Sequence, residues 1–256
     1  MCARCGDVLD FERMESTSNP ANCRACRLAP PAFERAVSFG PYEGRMRSAI
    51  HALKYERMRP AAVRLGGMLA QAISTLLPDA PDEMLVIPVP LHRSKHAERG
   101  FNQARLLAAH ALDALRATHP AWRLTLASST LMRLRATESQ ASLTPRKRRR
   151  NVRGAFMVLD PHDVAGKHIL LVDDVLTTGA TARAASKILV QAGAASVWVA
   201  TLARAKRYSL ARRGRRSSYS NLSVEDTNGN LGPRGNAVAT DLQPASMHSS
   251  SNQSSS

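Results

Sequence analysis

Two adjacent aspartates follow an apolar run and precede a short hydroxyl-rich stretch. Asp173 and Asp174 come directly after residues 169–172, which read Ile-Leu-Leu-Val. Carboxylates accept hydrogen bonds from sugar hydroxyls, whereas the free amides at a helix start bind anions. The pattern predicts a ligand that carries a ribose next to a phosphate, with the two aspartates facing the ribose. The residues expected to hold the phosphate are Thr177, Thr178, Gly179, Ala180 and Thr181.

The same segment has other interpretations that its residues limit. A P-loop nucleoside triphosphatase is excluded because no Gly-Lys-Ser/Thr follows Gly179. A phosphoacceptor receiver domain would need a second acceptor aspartate about two strands later, and the next aspartate is Asp226, in the C-terminal tail. A strand, turn and helix whose Asp and Thr residues are purely structural stays open.

The elements around this segment must form a βαβ unit. Residues 168–172 are typical of a strand buried on both faces. A helix is predicted over 181–192, closed by Gly193, and another strand over 197–202. The sheet is then at least partly parallel, and its ligand crevice lies at the carboxyl ends of the strands. Further strands are predicted over 35–42, 84–89 and 156–159, and helices over 44–55, 60–77 and 101–117.

The four cysteines form two Cys-x-x-Cys pairs, and all lie within the first 26 residues. Paired motifs of this kind predict a tetrahedral zinc site in which two short hairpins each supply two thiolates. Redox-active or unliganded cysteines are the alternatives. With four ligands the zinc is structural, so its loss is expected to loosen the N-terminal module and leave ligand affinity nearly intact. The predicted ligands are Cys2, Cys5, Cys23 and Cys26.

The charge of the chain is concentrated in two basic stretches. Lys and Arg number 36 against 20 Asp and Glu, which gives a net charge of +16. Residues 133–153 contain eight cations and residues 204–216 contain seven. Glu138 is the single acid within these two stretches. This balance excludes an acidic solvating protein and favours anionic partners. Residues 123–155 contain no aromatic side chain, so base stacking is not supported there, and a solvated basic loop stays open.

The ends of the chain and its apolar runs indicate a cytoplasmic protein without a membrane span. The longest apolar stretch, residues 65–77, is shorter than the roughly 20 residues that a membrane-spanning helix needs. No basic-then-apolar signal segment is present at the N-terminus. Residues 217–256 contain 11 serines and are expected to be disordered.

Residues 169–181 resemble the 5-phosphoribosyl 1-pyrophosphate (PRPP) motif of type I phosphoribosyltransferases, in which two acids precede Thr-Thr-Gly-x-Thr. Residues 86–93 (Val-Ile-Pro-Val-Pro-Leu-His-Arg), 99–103 (Arg-Gly-Phe-Asn-Gln) and 151–156 (Asn-Val-Arg-Gly-Ala-Phe) resemble the ComF family, a group of competence proteins and their relatives. The paired cysteine motifs fit the same family. The resemblance covers residues 1 to about 205.

The resemblance implies a fold and an organisation. We expect a type I phosphoribosyltransferase-like α/β domain over residues 31–205, with a mostly parallel sheet flanked by helices. A zinc ribbon over 1–30 precedes it, and a basic stretch with a disordered tail over 206–256 follows it. The segment after Val89 is then the pyrophosphate loop, and residues 133–153 are a flexible loop that closes over the site.

The resemblance also implies two functions from different classes. One is a transferase that displaces pyrophosphate from PRPP with Mg²⁺ bound alongside the substrate. The other is a non-enzymatic competence factor that uses the pocket as a sensor and the basic loops for single-stranded DNA or proteins of the competence machinery. Arg93 and Arg99 are candidate ligands of the diphosphate or phosphate, while Asn102 could simply cap a helix. Charge repulsion between Asp173 and Asp174 implies that Asp174→Asn leaves stability equal or raises it.

Overall fold

A five-stranded parallel sheet is the centre of the fold. The computed structural model describes residues 1–9, 21–55, 58, 60–135 and 154–205. The strands are β1 (Ala36–Pro41), β2 (Glu83–Pro88), β3 (Arg123–Leu126), β6 (His168–Leu176) and β7 (Ser196–Arg204), in the order β1-β7-β6-β2-β3. All four neighbouring pairs are parallel. The prediction of a mostly parallel sheet is therefore confirmed.

Helices cover the two faces of the sheet. The helices are α1 (Arg24–Leu28), α2 (Gly44–Tyr55), α3 (Ala61–Ser74), α4 (Arg93–Arg99), α5 (Gln103–Thr118) and α6 (Ala180–Gln191). Apolar residues of α2, α3 and α5 pack in one core cluster, and those of α6 pack in a second cluster together with three cysteines of the N-terminal module. The two clusters share the central strands β2, β6 and β7, whose alternate residues face opposite layers.

The sequence predicts the central elements and misses some peripheral ones. The predicted strand and helix positions match β1, β2, β7, α2, α3, α5 and α6 within a few residues. Strand β3 has no counterpart among the predicted elements. Residues 156–158 do form a strand, β5 (Phe156–Val158), but it pairs with the unpredicted β4 (Leu131–Arg133) in a separate antiparallel ribbon.

Candidate functional site

The crevice lies where the strand order reverses, between β2 and β6. From β2 the chain passes through α5 to β3 on one side, and from β6 it passes through α6 to β7 on the other. Because α5 and α6 belong to different core clusters, they leave the sheet on opposite faces. The carboxyl ends of β2 and β6 are held side by side, with Val89 N–H donating to the Val172 carbonyl at 2.8 Å. This is the position at which parallel α/β sheets bind ligands.

The two aspartates lie within the central strand and not beyond its end. The sequence predicts that the strand stops at Val172, but β6 continues through Asp173 and Asp174 to Leu176. The extension is stabilised by β7, which pairs with β6 in register as far as Leu176 and Arg204. Asp174 is buried and Asp173 is half-buried, so the two carboxyl groups differ in their access to a ligand.

Lys54, at the end of α2, is the counter-ion of Asp174. Its ammonium group forms an ion pair with Asp174 Oδ2, and the two side chains are only 17% and 7% exposed. Burial alone would raise the pKa of Asp174, but the Lys54 charge and hydrogen bond hold it below its usual value. The expectation that Asp174→Asn preserves stability considers only repulsion between the aspartates. The structure adds a buried cation that this substitution would leave without its partner.

Asp173 has the opposite electrostatic character. Its burial and the neighbouring Asp174 charge raise the pKa of Asp173 above its usual value. Arg133 lies at the end of β4, with its guanidinium carbon 5.4 Å from the centre of the Phe156 ring. It also interacts electrostatically with Asp173. Burial lowers the pKa of this guanidinium, and Asp173 opposes that effect. The protonated form of Asp173 is therefore favoured in the ligand-free site. A hydrogen-bond donor or a cation that approached the carboxyl group would favour its ionised form.

The hydroxyl-rich loop turns directly into α6. Gly179 has a φ of 74°, in the left-handed region, and is the residue before the first helical residue, Ala180. The Ala180 amide donates to the Thr178 hydroxyl at 3.4 Å, and the Arg183 amide donates to the Gly179 carbonyl at 2.9 Å. The first-turn amides of a helix point outward and attract anions. The loop is therefore a turn from the end of β6 into a helix N-terminus, and its use as a phosphate site stays a prediction.

The segment after β2 contains a short helix at the place where the resemblance implies a pyrophosphate loop. His92 caps α4, and its ring nitrogen Nδ1 accepts from the Ser94 amide at 3.3 Å. Arg93 begins α4 and is exposed to solvent. Arg99 ends it, half-buried, with its guanidinium 5.2 Å from the centre of the Tyr55 ring. Arg99 therefore lies near the acids, where its charge lowers the pKa of Asp174, whereas Arg93 lies on the outer part of the helix.

Asn102 is a helix cap. Its carbonyl oxygen accepts from the Ala104 amide at 2.9 Å, and its side-chain amide donates to the Val89 carbonyl at 3.1 Å. Gln103 accepts from Arg99 at 2.9 Å. These contacts tie the start of α5 to the end of β2 and orient Arg99.

The four cysteines form one compact cluster. Their sulfur atoms all lie within 4.8 Å of one another, and Cys5 and Cys23 sulfurs are 3.7 Å apart. A tetrahedron with zinc–sulfur bonds of about 2.3 Å has sulfur–sulfur edges of about 3.8 Å, so the donor set fits zinc. The hydrogen bond with Cys26 and burial raise the pKa of the Cys5 thiol. The second pair is not in a hairpin as predicted, because Cys23 caps α1 and Cys26 lies within it.

We expect the purified protein to contain about one zinc ion per chain, since four thiolates complete one tetrahedral site. Atomic absorption on wild-type protein and on Cys23→Ser checks this expectation. The variant should lose the metal and the order of residues 21–29, while Trp122 and Trp198 keep their near-ultraviolet circular dichroism. A metal-free protein whose N-terminal module stays folded would rule the metal site out.

The basic stretch over 133–153 and the tail lie mostly outside the described residues. Residues 136–153 and 206–256 have no described structure. The two ends of the first gap lie next to each other, since the Leu134 amide donates to the Ala155 carbonyl at 2.8 Å. No helix in the described part of the chain is long and apolar enough to cross a membrane.

Comparisons with known proteins match most of the chain. Residues 105–233 match the model of the phosphoribosyl transferase domain family. The DNA utilization protein YhgH of Salmonella typhi is 38% identical over 71% of this chain and 77% of that protein. Competence protein F of Haemophilus influenzae is 27% identical over 80% of this chain and 84% of its own length. Competence protein ComFC of Bacillus subtilis is 32% identical over 72% of each chain.

Proposed function

Because this chain belongs to the ComF family of proteins with a phosphoribosyltransferase-type domain, we propose that its crevice binds PRPP or another ribose 5-phosphate ligand. The observation that carries the proposal is the placement of Asp173 and Asp174 near the carboxyl end of β6, shortly before the Gly179 turn and the α6 N-terminus, at the switch point of a parallel sheet. The two carboxylates can accept hydrogen bonds from the ribose hydroxyls, and the amides at the start of α6 can bind the 5-phosphate. The site therefore matches both ends of a ribose 5-phosphate.

The charges around the crevice favour an anionic ligand with a polyol. Lys54, Arg99 and Arg133 surround the two carboxyl groups, so the cations outnumber the acids. Ribose hydroxyls would donate to Asp173 and compete with Lys54 for Asp174. When Lys54 is displaced from Asp174 in this way, its ammonium group becomes available to a phosphate oxygen.

The reaction that we propose is displacement at the anomeric carbon of PRPP. The lone pair of an incoming amine or base nitrogen forms the new bond to this carbon, and the bond to the diphosphate oxygen breaks with its electron pair leaving on pyrophosphate. The nitrogen then loses its proton to solvent. Mg²⁺ would be held mainly by diphosphate and ribose oxygens, because it keeps most of its waters and takes few protein ligands. Arg99 would add a fixed positive charge at the diphosphate.

Calorimetry tests the proposal. PRPP with Mg²⁺ should bind wild-type protein more tightly than ribose 5-phosphate, and ribose 5-phosphate more tightly than inorganic phosphate. A pyrophosphate-release assay with a panel of nucleobases and amines then tests for transfer. Binding without release would leave a phosphoribosyl sensor, and equal affinities for the three ligands would remove the ribose and diphosphate parts of the proposal.

A role in the handling of single-stranded DNA is the second candidate, supported by the relatives named competence protein F and DNA utilization protein. Residues 146–150 read Arg-Lys-Arg-Arg-Arg and supply five consecutive cations for a phosphate backbone. Partners from the competence machinery belong to the same proposal. We place this role in the cytoplasm, where cysteines stay reduced.

Replacement of Arg148, Arg149 and Arg150 by alanine is expected to weaken single-stranded DNA binding and to flatten its salt dependence. Three lost phosphate contacts at roughly 0.7 units each reduce the log–log slope by about two units. Fluorescence anisotropy with a labelled oligonucleotide, measured across a series of salt concentrations, checks this. The matched control replaces Arg212, Arg213 and Arg215, and an unchanged slope in the first variant would assign any DNA binding to another surface.

A further inference from the structure

Two arginines of the sheet domain reach into the cysteine cluster. Arg204 ends β7 and points Nη2 at the Cys5 sulfur at 3.9 Å, while the same nitrogen lies 3.4 Å from Asp7 Oδ2. Arg183 lies in the first turn of α6 and donates from Nη2 to the Cys26 sulfur at 3.4 Å. Each Cys-x-x-Cys pair is therefore contacted by one guanidinium group that belongs to the other part of the molecule.

The same two residues form hydrogen bonds with the backbone on either side of residues 177–179, the proposed phosphate loop. Arg204 Nη1 donates to the carbonyls of Leu176 and Thr177 at 3.3 and 3.1 Å. The Arg183 amide donates to the Gly179 carbonyl at 2.9 Å. The loop over 177–179 is thus bracketed by residues whose side chains end at Cys5 and Cys26. In both cases a single arginine residue connects a cysteine of the cluster with the backbone of the loop.

Charge explains why these contacts depend on the metal. One Zn²⁺ with four thiolates carries a net charge of −2, and the two guanidinium groups supply +2 beside it, with the Asp7 carboxylate as a further acid next to Arg204. Arg204 is only 9% exposed, so after metal loss little water can replace the thiolate side of its contacts, and Asp7 remains as its partner. The metal also fixes the positions of Cys5 and Cys26, which are separated by 20 residues of chain.

We propose that Arg183 and Arg204 are positioning residues that make the shape of the phosphate loop depend on metal occupancy of the cysteine cluster. With the cluster loaded, both guanidinium groups are anchored and the loop carbonyls are held. Without metal, the Cys5 and Cys26 sulfur atoms are no longer held in place, and the backbone of residues 177–179 becomes less ordered. The consequence for ligand affinity rests on the proposed phosphoribosyl function, whereas the consequence for loop order does not.

This inference changes one expectation drawn from the sequence. A purely structural zinc would leave affinity for a phosphoribosyl ligand nearly intact after metal loss. The arginine contacts instead predict that metal removal weakens ribose 5-phosphate binding about tenfold, in the lower part of the usual range for coupling between two sites. By the same linkage, ribose 5-phosphate should tighten zinc binding about tenfold.

The matched control is Arg4, a third arginine at the same boundary. It lies in the N-terminal module and donates to the Phe33 carbonyl at 3.0 Å, with Glu34 Oε2 at 3.6 Å. These contacts join the module to the sheet domain without reaching the phosphate loop. Arg4→Met therefore tests whether any loosening of the boundary is enough to disturb the loop.

Hydrogen exchange on full-length, zinc-loaded protein is the test. The amides at positions 183 and 205 donate to the carbonyls of Gly179 and Leu176 and report on both sides of the loop. We expect their exchange to accelerate about tenfold in Arg204→Met and after zinc removal, and a smaller acceleration at position 183 in Arg183→Met. Helix α5 should exchange at the wild-type rate in every sample, as should the loop amides in Arg4→Met.

The outcomes separate this inference from the proposed function. If the loop amides respond to zinc and to the arginines while calorimetry detects no ribose 5-phosphate binding, the coupling stands and the phosphoribosyl function fails. If the ligand binds but neither zinc removal nor Arg183→Met changes loop exchange or affinity, the coupling is refuted and the function stands. Arg183 is half-buried, so its variant still tests the coupling if Arg204→Met fails to fold. An equal effect of Arg4→Met would also refute the inference.

Discussion

Asp174→Asn is expected to lower the free energy of unfolding by about 2–3 kcal/mol at pH 7, just below the range typical of a broken buried ion pair. The substitution leaves the Lys54 ammonium buried without its partner. The loss is moderated because removal of the Asp174 charge favours ionisation of Asp173, whose charge then stabilises the Lys54 ammonium group. Denaturant unfolding followed by tryptophan fluorescence measures the change. Affinity for ribose 5-phosphate, measured per folded molecule, should fall about ten- to hundredfold.

Asp173→Asn is the matched control, and its effect on stability should have the opposite sign. A carboxyl group whose pKa is raised by folding takes up a proton in the folded state, so its contribution lowers stability as pH rises above about 3.9. Asp173→Asn should therefore match wild-type stability near pH 4 and exceed it at pH 8. Asp174, whose pKa is lowered, contributes stability above that pH, so the deficit of Asp174→Asn should shrink in acid.

A double-mutant cycle assigns the effect to the ion pair. Lys54→Met combined with Asp174→Asn should be less destabilising than the sum of the single changes by about 1 kcal/mol or more. Unchanged or increased stability of Asp174→Asn at pH 7 would mean that repulsion between the aspartates outweighs the contact with Lys54.

Gly179→Val is expected to reduce affinity for inorganic phosphate and for ribose 5-phosphate by about a hundredfold or more. Among the described residues other than its chain neighbours, a built Cβ at this position has only Leu176 Cδ1 within 4 Å, at 3.9 Å, so the Cβ itself clashes with none of them. It forces a branched side chain into left-handed backbone at a φ of 74° and fills the space that the phosphate needs. Loss of two charge-assisted hydrogen bonds, at about 1.5–3 kcal/mol each, accounts for the magnitude.

Gly166→Val is the control that distinguishes loss of the phosphate site from the effect of backbone strain. Gly166 has a φ of 69°, and no described residue other than its chain neighbours lies within 4 Å of a Cβ built on it, but it lies just before the amino end of β6, away from the carboxyl end that carries the aspartates. Both variants lose about 1–2 kcal/mol of stability to a left-handed conformation, and only Gly179→Val should lose phosphate. Calorimetry with inorganic phosphate compares the two, and equal affinities in both variants would remove the phosphate from this loop.

The sequence is sufficient for the βαβ unit that carries the site. The uninterrupted apolar run before Asp173 is typical of a strand buried on both faces, and the glycine before α6 marks the turn. These local signals also place the candidate phosphate residues on a strand end and a helix start. The cysteine spacing predicts the cluster in the same way, because two short motifs in one small module have few other uses.

What the sequence misses depends on contacts between distant elements. Lys54 is 120 positions away from Asp174 along the chain, and nothing in its own segment marks it as a counter-ion. The continuation of β6 through the aspartates is imposed by pairing with β7. The sequence predicts a loop in place of α4 because the charged residues of this helix show no apolar face, and its His92 cap is an uncommon one. Arg183 and Arg204 are likewise recognisable only once the module is docked.

The central claim, that residues 173–181 form a phosphoribosyl site, is tested most directly by nuclear magnetic resonance on ¹⁵N-labelled, zinc-loaded protein titrated with ribose 5-phosphate. The predicted result is a set of saturable amide shifts confined to Asp173–Thr181 and Lys54, with inorganic phosphate shifting only the amides of 177–181. Shifts clustered in the basic stretch over 146–150 instead, or none along β6 and the start of α6, would contradict the account.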